Sequence, residues 1–264
     1  MLFFHPEKSK SMRLGRTDVE EKVYTMHNNI TQVDNEKDIG VIIDNKLSFS
    51  DHLAEKINKA NKMVGVIRRT FEHLDPTIFK ALYTTVVRPH LEYANQVWCP
   101  HLEKDIEALE NVQRRATKLV PQLKKLEYEE RLMKLNLPTL AYRRSRGDLI
   151  EAFKIITGKY DEDCTEGIFQ MRDMGITRGN SKKIFKTRTR LNLRTYSFPH
   201  RIVNDWNDLP EWVISADSVQ KFESNLDKVW KGQERKLNYK EIITHTRSRG
   251  QYSIQAANLE PQAN

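Results

Sequence analysis

Residues 82–100 read LYTTVVRPHLEYANQVWCP, the densest apolar and aromatic block in a chain otherwise rich in Lys and Arg. Leu82, Tyr83, Val86, Val87, Leu91, Tyr93, Ala94, Val97 and Trp98 recur mainly at three- and four-residue steps, the period of a helix with a wide buried face. The block is therefore expected to be a helix at the centre of the core, with the remaining elements packed around it. Pro89 removes a backbone donor and clashes with the preceding turn, so a kink is expected near Arg88.

Helical periodicity continues on both sides. Ser48 and Asp51 have the S-x-x-D form of a capping box, which predicts a helix start. Leu53, Ile57, Ala60, Val64, Ile67, Phe71 and Leu74 make its apolar stripe, with Lys56, Lys59, Lys62, Arg68 and Arg69 largely off it. Asp75 and Pro76 supply an N-cap and an N1 proline for the central helix. Ile106, Leu109, Val112, Ala116 and Leu119 form a third stripe that Pro121 stops, and the three helices are expected to pack antiparallel as a bundle. Residues 128–135 lead through Leu137, Pro138 and Thr139 into a fourth helix that buries Leu149, Ile150, Phe153 and Ile156 and ends at Gly158. Ser218 caps a last helix with Val219, Phe222, Leu226 and Trp230 on one side.

Strand signals are confined to residues 22–26 and 38–43, with Asn28-Asn29 and Asp34-Asn35 as turn pairs. The expected fold is mainly α: a helical bundle over residues 50–160, preceded by a hairpin or small sheet within residues 1–49 and followed by an irregular basic part over 161–231. Residues 232–264 are polar and aperiodic and are expected to be a disordered tail.

The net charge of +8 favours a polyanionic partner, namely RNA, DNA or an RNA–DNA hybrid. Between Arg178 and Arg201 lie eight basic residues and no acidic one, an excess equal to that of the whole chain. Phe185, Leu191, Leu193, Tyr196 and Phe198 are interleaved with them, as in a half-buried extended segment with a basic outer face. Arg143, Arg144 and Arg146 stand early in the fourth helix, where cations oppose the helix dipole; solvated arginines and a phosphate contact are the two explanations. The candidate nucleic-acid contacts are therefore Arg143, Arg144, Arg146, Lys182, Lys183, Lys186, Arg188 and Arg190.

No apolar run approaches the roughly 20 residues of a membrane helix. The two cysteines, Cys99 and Cys164, form no C-x-x-C and no disulfide framework, so a soluble protein in a reducing intracellular setting is expected, with no membrane partner. No Asp-Asp pair occurs, and there is no H-E-x-x-H, G-x-S-x-G or P-loop motif. His90, Cys99 and His101 lack a second cysteine and a carboxylate to make a metal site. Glu127, Glu129 and Glu130 read as a solvated helix face. No catalytic residue, metal or cofactor is assigned, and the isolated chain is read as a non-enzyme.

Several motifs resemble one family. Asp38-Ile39-Gly40-Val41 with Asp44, Leu47-Ser48-Phe49 and His52 is one block. Leu82-Tyr83, Val87-Arg88-Pro89, Leu91-Glu92-Tyr93-Ala94 and Val97-Trp98-x-Pro100 form the second. Val112-Gln113-Arg114-Arg115-Ala116-Thr117, Leu137-Pro138-Thr139-Leu140, Arg143-Arg144-x-Arg146-Gly147-Asp148 and Trp206-Asn207-x-Leu209-Pro210 extend it over residues 8–230. Together they resemble the C-terminal part of reverse transcriptases of non-LTR retrotransposons of the LINE, CR1 or jockey type.

The resemblance implies that the segment around Lys10 follows the palm, that Gly40 and Val41 belong to a primer grip, and that the following helices are the thumb. It also implies that the fingers and the aspartates that hold Mg in the intact family precede Met1. The chain is then a remnant of an RNA-directed DNA polymerase that retains template–primer contacts. The alternatives are a protein interaction module or homodimer built on the surface left by the palm, and a thumb acting in trans with a palm encoded elsewhere.

Overall fold

The computed structural model describes residues 9–15, 25–26, 28–172 and 180–244. The fold is mainly α with short two-stranded pieces near the N-terminus. It divides into two compact units. One takes the described residues up to His73 together with Ala81–Ala94, and the other takes Leu74–Lys80 and the chain from Asn95 on. Residues 82–100 are thus shared between two units and are not a common centre. The expected 50–160 segment is divided as well.

In the first unit β1 (Lys10–Ser11) pairs in parallel with β4 (Thr31–Gln32), and β2 (Thr25–Met26) pairs antiparallel with β3 (Asn28–Asn29). Asn28-Asn29 is therefore a strand and not the turn expected, while Lys22, Val23 and Tyr24 lie outside the described residues. The hairpin β5 (Asn35–Asp38) to β6 (Val41–Asp44) places its turn at Ile39 and Gly40, with φ of 42° and 81°. Positive φ at both positions gives the type I′ geometry that matches strand twist, so 38–43 is interrupted where one continuous strand was expected.

Helix α1 (Ser50–Thr70) starts without the expected capping box. Its N-cap, Phe49, is in the left-handed region at φ 56° and makes no side-chain cap bond. The carboxylate of Asp44 instead accepts the backbone N–H groups of Lys46, Ser48 and Phe49 at 3.1, 3.0 and 2.6 Å. Burial opposes ionisation of Asp44, but these donors together hold its carboxyl below the ordinary range.

Asp75 caps α2 (Pro76–Leu82) as expected, its carboxylate accepting from the N–H groups of Thr77 and Ile78. A π-helical turn follows at Tyr83–Val87, and then α3 (Arg88–Glu92), with Pro89 at its start. The regular α-helix is interrupted just before Arg88, where the wider turn takes in the missing proline donor; the Arg88 N–H reaches back to the Tyr83 carbonyl. The break falls at Ala94, φ 54°. Tyr83, Val87 and Leu91 are buried against α1, whereas Val86 and Tyr93 are exposed and Leu82 is half-buried.

In the second unit α4 (Asn95–Trp98) buries Trp98. Helix α5 (Glu103–Thr117) packs on α6 (Tyr128–Leu135) and α7 (Leu140–Ile156). Its buried face is half polar. Glu110 accepts from the Tyr128 hydroxyl at 2.5 Å and from the Leu140 N–H at 3.0 Å, and Gln113 donates to the Tyr128 oxygen and the Pro138 carbonyl. The set is mutually satisfied, which is what allows it to be buried. Glu127, Glu129 and Glu130 are exposed, as expected, and Glu127 and Glu130 also form the capping box of α6. Thr139 caps α7 and Gly158 follows it in the left-handed region.

The short α8 (Glu162–Thr165), α9 (Asn192–Thr195), α10 (Phe198–Arg201), α11 (Val203–Asp208) and α12 (Glu211–Ile214) lead to α13 (Val219–Val229), capped by Ser218. The core of this unit gathers α7, α11 and α13: Phe153 stacks on Phe222 at 4.3 Å between ring centres, beside Trp206, Leu226 and Trp230. The chain from Gly232 to Thr244 is packed, contrary to the expected tail. Tyr239 and Ile243 are buried, and Thr139 bonds the carbonyls of Arg235 and Lys236. Residues 245–264 lie outside the described residues.

Candidate nucleic-acid interface

The hairpin turn in the first unit is built to stand out and to stay rigid. Ile39 is 81% exposed. Behind it the Lys56 ammonium donates to the Gly40 carbonyl at 2.8 Å, and the Tyr93 hydroxyl donates to the Ile39 carbonyl at 2.9 Å. The ammonium also lies 5.8 Å from the Tyr93 ring centre. Lys56 is thus buried, not on a polar face. A Cβ on Gly40 would meet the Tyr93 ring at 3.4 Å, an ordinary contact, so it is the positive φ that calls for glycine here. Val41 is buried next to the turn, and His52 Nδ1 accepts the Ile42 N–H at 3.1 Å. Burial, with the Lys56 charge adding, pulls the His52 pKa down to about 4, which keeps the ring neutral as an acceptor. Lys10 sits on β1 and pairs with Glu36, whose carboxyl is lowered by that hydrogen bond.

The basic segment of the second unit is only partly a free cationic surface. Arg178 lies outside the described residues. Lys183 is buried, Lys182 is half-buried with its carbonyl accepting the Trp206 indole N–H at 2.7 Å, and Lys186 donates to Asn204. Arg188, Arg190 and Arg194 are exposed, beside exposed Phe185, Leu191 and Leu193. Arg201 is turned inward: its Nε and Nη2 meet both oxygens of Asp148 at 2.8 and 2.9 Å.

The three arginines of α7 have separate environments. Arg146 is engaged by Asp227 at 2.7 Å and by Glu223 at 3.3 Å, so it is a structural ion pair. Arg143 is half-buried and has a partner. Arg144 is buried and lines a cavity of about 240 Å³ together with Cys99, His101, Asp148, Tyr196, Arg201, Asp205 and Arg235. Burial pushes the Cys99 thiol up, so it is not an activated nucleophile. Burial also pushes the Asp148 carboxyl up, against the Arg201 clamp.

His52 stands in the first resembling block and Lys56 reads as lying off the apolar stripe, but the contacts they make, and any role for Arg235, are not legible in the sequence, because spacing does not reveal what the folded chain brings to them. Among the described residues no group of three His, Cys, Asp or Glu is placed to hold a metal ion, and no helix is long and apolar enough to cross a membrane.

No protein-family model matches the chain, and no solved structure does. It is similar to an uncharacterized protein of Caenorhabditis elegans, 25% identical over 126 residues, which is 47% of this chain and 64% of that protein. The match therefore spans less than two thirds of the relative's length.

Proposed function

We propose that this chain corresponds to the post-palm part of a non-LTR retrotransposon reverse transcriptase, with a primer-grip-like hairpin and thumb-like helices, and that it binds template–primer nucleic acid. The observation that carries the reading is the braced, protruding turn at Ile39 and Gly40. Those residues carry the primer-grip resemblance, and such a turn suits contact with a strand end. The exposed Arg188, Arg190 and Arg194 add a cationic surface in the second unit.

Binding to an RNA–DNA hybrid, measured at several salt concentrations, tests the proposal. Changing Arg188, Arg190 and Arg194 together to Gln should weaken binding to all sequences alike, since phosphate contacts carry affinity without reading bases. Each lost contact should flatten the slope of log K against log salt by about 0.9 if the hybrid behaves as B-DNA. No binding at low salt would refute the proposal, and an unchanged slope would remove this segment from the interface.

A second reading, an interaction module, is favoured by the exposure of Leu191 (69%), Leu193 and Phe185 in one segment. A stable dimer in sedimentation without nucleic acid, lost in Leu191→Asp, would support it.

A further inference from the structure

The cavity lined by Arg144 and Arg235 holds two guanidinium donors with nothing to receive them. Arg144 is 4% exposed, and its Nη1 is buried with no hydrogen-bond partner; Nε of Arg235 is in the same condition. The third guanidinium, Arg201, is satisfied by Asp148 and by the carbonyls of Asn95, Gln96 and Tyr196. Three guanidiniums line the cavity with two carboxylates, Asp148 and Asp205, and a third carboxylate, buried Glu110, acts on Arg144 and Arg235 from behind the lining.

A buried guanidinium N–H left without an acceptor keeps its desolvation cost unrepaid, and a like charge beside it adds to that cost. The charge of Arg144 does act on Arg235, whose guanidinium is pulled down first by burial and then by that neighbour. An oxyanion in the cavity would give both orphan N–H groups an acceptor, and the planar guanidinium fork matches phosphate oxygens in spacing. At about 240 Å³ the cavity falls below the roughly 300–1,000 Å³ of pockets that enclose a whole small molecule, so it suits one group. His101 and Tyr196 also line it, stacked at 4.5 Å with 12° between their planes, and both are exposed. Such a ring pair is a surface on which a base can stack.

We propose that this cavity is a phosphate-binding site in which Arg144 and Arg235 donate to the oxyanion, the Arg201–Asp148 pair holds the wall, and His101 with Tyr196 flanks whatever the phosphate is attached to. The site stands on its own geometry and does not require the retroelement reading.

Calorimetric titration of the full chain with inorganic phosphate at constant ionic strength tests it. Saturable binding is expected, about ten- to a hundred-fold weaker in Arg144→Gln and in Arg235→Gln, the range expected for a charge-assisted hydrogen bond. Lys62→Gln, an exposed change on α1, should leave it unaltered.

No saturable binding by the parent chain, meaning a merely hydrated cavity, overturns the proposal, as does binding that both Gln variants retain. Should those variants fail to fold, the Arg235 Nε–Hε resonance of the parent chain must shift on adding phosphate, and a fixed resonance overturns the proposal equally. Adenosine monophosphate and an oligonucleotide with or without a 5′-phosphate identify the source. Preference for the phosphorylated strand end assigns a nucleic-acid terminus, and equal affinity for inorganic phosphate assigns the free ion. Phosphate binding without hybrid binding would leave this site standing and refute the nucleic-acid reading.

Discussion

Replacing Lys56 by Met isolates the brace behind the hairpin turn. The substitution keeps the aliphatic stem and removes the ammonium that donates to the Gly40 carbonyl at 2.8 Å, so packing changes little and the electrostatic contact is lost. A hydrogen bond to a charged group is worth about 1.5–3 kcal/mol. Two features lower that figure here. Removing the charge also recovers the cost of burying it, a cost visible in the Lys56 pKa, which burial pulls down. The Gly40 carbonyl is half-buried, so water can reach it once the ammonium is gone.

The expected net cost is about 1–2 kcal/mol on the charged-bond scale. For Tyr93→Phe, which removes an exposed hydroxyl but keeps the ring under the cation, about 0.5 kcal/mol is expected, at the low end for a neutral bond. Native-state hydrogen exchange at the Val41 and Ile42 amides reads the effect locally. Exchange that is unchanged in Lys56→Met, with urea stability within about 0.5 kcal/mol of the parent as at an ordinary surface site, would refute the claim that α1 braces the turn.

Phe222→Ala, in the stack with Phe153 and Trp206, should cost about 3–5 kcal/mol in denaturant, whereas Val97→Ala at a 55% exposed position should stay within about 0.5 kcal/mol. His52 has a folded pKa depressed below its unfolded value, so the unfolded state binds the proton more tightly and stability is lost as pH falls from 6.5 towards about 4; urea titrations across that range should show a shallower loss in His52→Gln. Ending the chain at Lys231 removes buried Tyr239 and Ile243 and the carbonyls that Thr139 bonds, and should lower the melting temperature of the second unit; each buried apolar side chain is worth about 1.5–3 kcal/mol. Ser218→Ala, which deletes the acceptor for the Lys221 N–H, should cost about 1 kcal/mol by thermal melt.

The sequence by itself determined the helical class and most helix limits, because a 3.6-residue apolar period and local caps are properties of neighbouring residues. The caps at Asp75 and Ser218 were legible for that reason, as were the buried faces of Leu109, Leu149 and Phe222. What the tertiary structure alone decided involves partners distant in the chain. Residues 82–100 look like a single core helix by composition, yet a π turn interrupts the α-helix and the break at Ala94 divides the block between two units.

Charge was the least legible property, since a cation is written the same way whether it meets water, a carboxylate or a carbonyl. Lys56 is spent on the Gly40 carbonyl, Arg146 on Asp227 and Arg201 on Asp148, 53 residues away. Arg235 came from a stretch whose composition suggested disorder, and it is ordered because Thr139 and the surrounding core bind its backbone. Local pattern encodes secondary structure, but which charges are neutralised and which are left facing a cavity depends on what folding places beside them.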